Sequence, residues 1–151
     1  MARPRGGDWL DDEMAGLRSA GVGVLVCALT SEELADLDLT EEPRAAREAG
    51  LRFVSVPIPD RSVPDLPAVV STLRELARWF QDGAHVVTHC RFGIGRASLL
   101  AAAVLVLNGV EPGEAWRQVE QARGHSVPDT PEQREWPSRL LRWGQGDILA
   151  A

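Results

Sequence analysis

Three short apolar runs, VGVLVCAL (22–29), LRFVSVPI (51–58) and AHVVTH (84–89), constrain this chain most. Each is rich in Val, Leu or Ile and bounded by Gly or Pro, the pattern of a buried strand. Helical periodicity fills the stretches around them. Residues 9–20 carry Trp9, Leu10, Met14 and Leu17, and residues 66–80 carry a stripe of Leu66, Val69, Val70, Leu73, Leu76, Ala77 and Phe80. Residues 95–108, GRASLLAAAVLVLN, are apolar nearly all round, which predicts a central, buried helix. Two more helices are predicted over 113–122 and 131–143, and Pro137 should kink or shorten the second. The tryptophans at 9, 79, 116, 136 and 143 fall mostly on apolar helical faces and read as core. Strands alternating with helices predict an α/β fold, a mainly parallel central sheet flanked by helices. With 151 residues and no dividing linker, the chain reads as one domain over 1–151.

In such sheets ligands bind beyond the carboxyl ends of the strands. Cys27, Asp60 and Cys90 each follow closely on a different predicted strand, so parallel strands place all three at one sheet edge. Composition narrows the chemistry further. A net charge of −6 argues against nucleic acid or an anionic membrane as partner. All 16 basic residues are arginines, so neither a Schiff-base lysine nor a Walker-type lysine exists. There is no tyrosine to act as a catalytic phenol, and two cysteines are too few for a disulfide scaffold. No secretory signal and no membrane span is legible, which makes the cytoplasm the expected compartment and free thiols the expected cysteine state.

The stretch HCRFGIGR (89–96) joins the third strand to the apolar helix. A helix N-terminus offers unpaired N–H groups and a partial positive charge. Gly93 and Gly95 let the loop curl so that the N–H groups of Arg91, Phe92, Gly93, Ile94, Gly95 and Arg96 form an anion nest suited to phosphate. The Arg96 fork can bind two oxygens of the same anion. Cys90 then lies at the floor of the nest, where the helix terminus and Arg96 favour its thiolate and make it a nucleophile. A buried, inert cysteine ahead of an ordinary helix is the bland alternative, and it leaves His89 and both glycines unexplained.

HCRFGIGRA resembles the H-C-x(5)-R signature of the cysteine-dependent protein tyrosine phosphatase superfamily, and its glycines resemble those of the dual-specificity branch. PIPDRSVPD is similar to the general-acid loop of the cyclin-dependent-kinase-associated phosphatases, VPDTPEQ to the loop supplying a water-positioning glutamine, and VLVCALTSEEL to the strand and turn that carry a second cysteine. The resemblance implies a metal-independent and cofactor-free phosphomonoesterase working through a phosphocysteine on Cys90. Its substrate would be a phosphorylated protein or a small phosphomonoester.

The resemblance makes Asp60 the general acid, and Asp65 is its rival, although Asp65 also suits the cap of the next helix. It makes Gln133 the residue orienting the hydrolytic water, yet Thr130, Pro131 and Gln133 equally fit a capping box. It gives His89 a loop-ordering role. His85 and His89, four apart on a strand with no third ligand, do not argue for a metal, and His125 reads as a surface loop residue. Arg91 either adds to the field of the pocket or is exposed, and Phe92 either lines its rim or packs beneath it. Cys27 is either a plain buried thiol or a partner that traps an oxidised Cys90 as a disulfide.

Ala97 departs from most of the superfamily, where Ser or Thr follows the signature arginine and assists departure of the cysteine sulfur. Ser98 is about 100° further round the helix and points elsewhere. Losing one such hydrogen bond costs roughly 1–2 kcal/mol, or about tenfold in the second step. The phosphatases of regenerating liver share the GRA ending, and that resemblance implies slow turnover with a long-lived phosphoenzyme. Two rival functions stay open. One is a phosphate-binding module that has lost turnover; the other is cysteine-based sulfur or arsenate chemistry on a similar loop.

Overall fold

In the computed structural model, residues 1–150 are described, with side chains through Gly144. Three parallel strands, β1 (Val24–Cys27), β2 (Arg52–Ser55) and β3 (Val86–His89), lie in the order β2-β1-β3. The register sets Cys27 opposite Ser55 on one side and His89 on the other, so all three strands end level. The strands are shorter than the apolar runs that announce them. Beyond β2 the extended chain still donates from Val56 and Ile58 to the carbonyls of Cys27 and Ala28. β2 is an edge strand with Arg52 and Ser55 exposed, unlike the fully buried β1.

Because side chains alternate across a strand, the sheet has two distinct cores. Val24, Val26 and Cys90 face the larger one, with α4 (Leu66–Gln81), α5 (Arg96–Leu107), α6 (Pro112–Arg123) and α7 (Pro131–Ala150). Leu25 and Cys27 face the smaller one, with α1 (Leu10–Ser19) and α3 (Glu42–Glu48). The α/β architecture with helices on both faces is thus present. The apolar helix α5 is central, packed against α4, α6 and α7.

Two helices were not expected, α2 (Ser31–Asp36) and α3. Both are too short for a clear period. α2 is nucleated by a capping box, with Thr30 Oγ1 accepting from the Glu33 N–H and Glu33 Oε1 accepting from the Thr30 N–H. Pro137 does not end α7, which continues to Ala150. Packing overrides the lost hydrogen bond there: Pro137 is buried, in a helix packed on α5 through the core residues Trp136 and Leu140. The tryptophan expectation holds for Trp116 and Trp136, which are buried. Trp9 and Trp143 are exposed, and the Arg5 guanidinium covers the Trp9 ring at 4.2 Å. Trp9 sits just ahead of α1, and Trp143 lies within α7 on the side turned to solvent, so apolar character alone does not report burial.

Candidate active site

The loop between β3 and α5 curls as its glycines predict. Gly93 has φ 75°, a conformation that a side chain resists. A Cβ there would also stand 2.4 Å from the Met1 backbone, because the first residues run across the loop and the Arg3 N–H donates to the Arg91 carbonyl. Gly95 caps α5, and a Cβ on it would come within 2.3 Å of Asp129 Oδ2 and 2.9 Å of Gln133 Oε1. The second glycine therefore brings the late loop and α7 onto the Cys90 loop. Within the curl, the Gly93 N–H donates to Cys90 Sγ at 3.3 Å. Cys90 is buried, Arg91 half-buried, and Phe92 stands 69% exposed on the rim rather than beneath the loop.

Arg96 is buried, and its hydrogen bonds explain how a charge can be kept there. Its Nη1 donates to Glu33 Oε1 at 2.6 Å and to the Ile58 carbonyl at 2.8 Å, and its Nη2 donates to Glu33 Oε2 at 2.9 Å. Asp60 Oδ1 lies 3.3 Å from the same Nη2. The outer edge of the fork is thus spent on Glu33, which sequence reasoning missed. The donors that remain on the guanidinium are Nε–H and the second Nη2 hydrogen, which is on the Asp60 side. Glu33 had a signal: the T-x-x-E capping signature beyond the first strand places its carboxylate at the sheet edge where Cys90 and Asp60 lie. The Arg96 guanidinium holds the Glu33 carboxyl below its ordinary value.

Asp60 is largely exposed and faces the guanidinium, whereas Asp65 sits at the N-cap of α4 without a side-chain capping bond. Gln133 is fully buried. Its N–H donates to Thr130 Oγ1, and its Oε1 accepts from the N–H groups of Asp129 and Thr130. The capping box is complete, and Nε2 additionally donates to the Ser62 carbonyl at 3.0 Å, tying α7 to the Asp60 loop. Ala97 is buried and its carbonyl accepts from Thr88 Oγ1; Ser98 Oγ donates to the Gly93 carbonyl at 3.3 Å. Ser98 therefore braces the loop backbone.

His89 and Cys27 belong to the other face. His89 Nδ1 lies 3.2 Å from the Cys90 carbonyl, and Nε2 meets a carboxylate oxygen of Glu42, a wholly buried residue on α3. The donor atoms of Cys27, Glu42 and His89 lie within 4.8 Å of one another, a set of the kind that holds a transition metal. Burial, and then the Glu42 charge, push the Cys27 thiol up to about 12. His85 and His125 are exposed.

The comparisons with known proteins agree with this geometry. A family model described as "Polymorphic toxin system, DSP-PTPase phosphatase" matches residues 1–110, from the N-terminus through the catalytic loop. Cyclin-dependent kinase inhibitor 3 of Rattus norvegicus is 26% identical over 119 residues, covering 78% of this chain and 56% of its own length. The chain thus spans little more than half of that relative. A kinase associated phosphatase (KAP) crystal structure, with its catalytic cysteine substituted by serine, superposes at TM-score 0.80 with 22% identity, over 93% of this chain and 85% of the other. PTPMT1 in complex with PI(5)P superposes at 0.75 with 21% identity, over 92% and 89%. A signature loop on a parallel three-stranded sheet and a family match across most of the chain lead to one assignment: the protein belongs to the DSP-PTPase phosphatase family.

Proposed function

We propose that the chain hydrolyses phosphomonoesters in two steps through a phosphocysteine on Cys90. The observation that carries this reading is the convergence of Cys90 Sγ, the Gly93 N–H, the Arg96 guanidinium and Asp60 at one sheet edge. In the first step Sγ attacks phosphorus, the bond to the leaving oxygen breaks, and Asp60 gives that oxygen its proton. The loop N–H groups and Arg96 stabilise the equatorial oxygens. Asp60 Oδ1 lies 3.3 Å from Nη2 of Arg96. A phosphate that takes this N–H releases Asp60 toward the leaving group.

In the second step water attacks the phosphocysteine, Asp60 takes its proton, and the S–P bond breaks to return the thiolate. Gln133 spends one Nε2 hydrogen on Ser62, and the other is left to orient the water. No hydroxyl at position 97 assists the departing sulfur, and Ser98 is committed to Gly93, so the phosphoenzyme accumulates. The exposed Phe92 at the rim suits a shallow site that accepts phosphorylated side chains of a protein or a small phosphomonoester. The reading places the protein in a reducing, cytoplasmic setting, with Cys27 as resolving thiol when Cys90 is oxidised. The register brings the two backbones close, since Cys27 lies opposite His89, but the thiols face different cores, so the disulfide requires the Cys90 loop to rearrange first. Peptide mapping after mild peroxide should find the 27–90 disulfide; Cys90 overoxidised alone would remove this role.

A rapid-mix time course with para-nitrophenyl phosphate tests the main reading. A burst near one equivalent, slow turnover after it, and loss of both in Cys90→Ser are expected. Steady turnover without a burst would retain the phosphatase and discard the slow second step. Absence of any Cys90-dependent release from reduced protein would favour the second reading, a phosphate-binding module, which Ala97 keeps in play.

A further inference from the structure

Behind the catalytic loop lies a carboxylate that the reaction does not touch. Glu42 is wholly buried at the start of α3, with one oxygen against His89 Nε2 and the other, Oε2, without any hydrogen-bond partner. An uncompensated buried carboxylate is costly, so its contact with His89 must offset much of that cost. The protonation of this pair follows from its partners. The Cys90 carbonyl beside Nδ1 can only accept, so Nδ1 carries a hydrogen. Nε2 and Oε1 are in direct contact, which two lone pairs would not tolerate, so one proton lies between them.

The pair is therefore neutral overall and polar along its length. Its imidazole end adjoins Cys90, and its carboxylate end adjoins Cys27. Facing His89 are Cys27 from β1 and Glu42 from α3, while Arg96 and Glu33 lie beyond, at the catalytic loop. We propose that Glu42 is a positioning residue for the reaction: it holds an imidazolium-like His89 whose Nδ1–H clamps the Cys90 carbonyl and whose positive end favours the Cys90 thiolate. The inference rests on Cys90 being the nucleophile. The same donors would suit zinc, but two ligands of one zinc ion stand roughly 3 Å apart. A bound ion would take the place of the shared proton and part the Glu42–His89 contact, so zinc binding is the rival outcome of the test.

The test needs no turnover, so its failure is separable from failure of the phosphatase reading. A long-range proton–nitrogen spectrum of the wild-type imidazoles should show a slowly exchanging, far-downfield His89 Nε2–H. Its absence would overturn the proposal even if no Glu42 variant folds. Glu42→Gln keeps a hydrogen-bonding side chain but not the charge. It should slow iodoacetamide alkylation of Cys90 at pH 6.5 by roughly tenfold. Leu39→Ala, a cavity in the same core, should lower the melting temperature and leave that rate unchanged. Wild-type alkylation in Glu42→Gln, equal slowing in Leu39→Ala, or stoichiometric zinc in the wild type that Cys27→Ser loses would each refute it.

Discussion

Cys27 and Cys90 end neighbouring strands at the same sheet edge, one residue out of register, yet they occupy opposite chemical worlds. Cys90 faces the larger core beneath a curled loop, with an N–H on its sulfur and Arg96 in its field. Cys27 faces the smaller core, among aliphatic side chains and beside Glu42. Its thiol is held protonated, pushed up to about 12. The two environments differ through the turn that follows each strand, not through the cysteine itself.

The sharpest way to break this contrast is to exchange the roles by mutation. Cys90→Ser should abolish phosphate release by about 10³-fold or more, while Cys27→Ser should leave steady-state kcat/KM within about twofold. Iodoacetamide at pH 7.5 should label Cys90 and spare Cys27 in the same sample, read by peptide mapping. Next comes Asp60→Asn, expected to lower kcat by roughly 10²-fold for a poor leaving group such as phenyl phosphate and by less for para-nitrophenyl phosphate. Asp65→Asn should do neither.

Glu33→Gln should cost about tenfold in kcat/KM, because it loosens the charge-assisted hold on Arg96. The Glu33 pair also has a pH signature. The folded-state value of Glu33 lies below its ordinary 4.5. Its contribution to stability is therefore complete above that value and is lost as pH falls through the lower, folded-state one. The difference in unfolding midpoint between wild type and Glu33→Gln should shrink on acidification from pH 6 to pH 3. The smallest effect is a gain: Ala97→Ser should raise turnover by several-fold, up to about tenfold, and shrink the burst, with its hydroxyl toward Sγ.

The strands and the long helices were legible because burial imposes a period on sequence, and the catalytic loop because its glycines and arginine have fixed spacing. α2 and α3 were not, since six or seven residues carry too little period and their stability comes from a cap and from packing. Glu42 shows the deeper limit. A glutamate ahead of a proline at a helix start reads as an exposed first-turn acid, and only a histidine 47 residues away makes it a buried partner. Gln133 illustrates a shared signal, since the residues that complete a capping box also tie the late loop to the Asp60 loop. Trp9 and Trp143 show the reverse: their apolar chemistry suggested burial, but Trp9 precedes α1 and Trp143 is on the solvent side of α7.

The helix that opens from the catalytic loop is enclosed along its length, from Ala97 through Val106. Amides in such a segment exchange with solvent only when the whole domain opens, whereas short capped segments such as α2 open locally. The Cys90 loop is therefore rooted in a segment expected to open late, and Arg96 is held from one expected to open early. Local opening of α2 would release Arg96 from Glu33 while leaving the Cys90 loop itself standing.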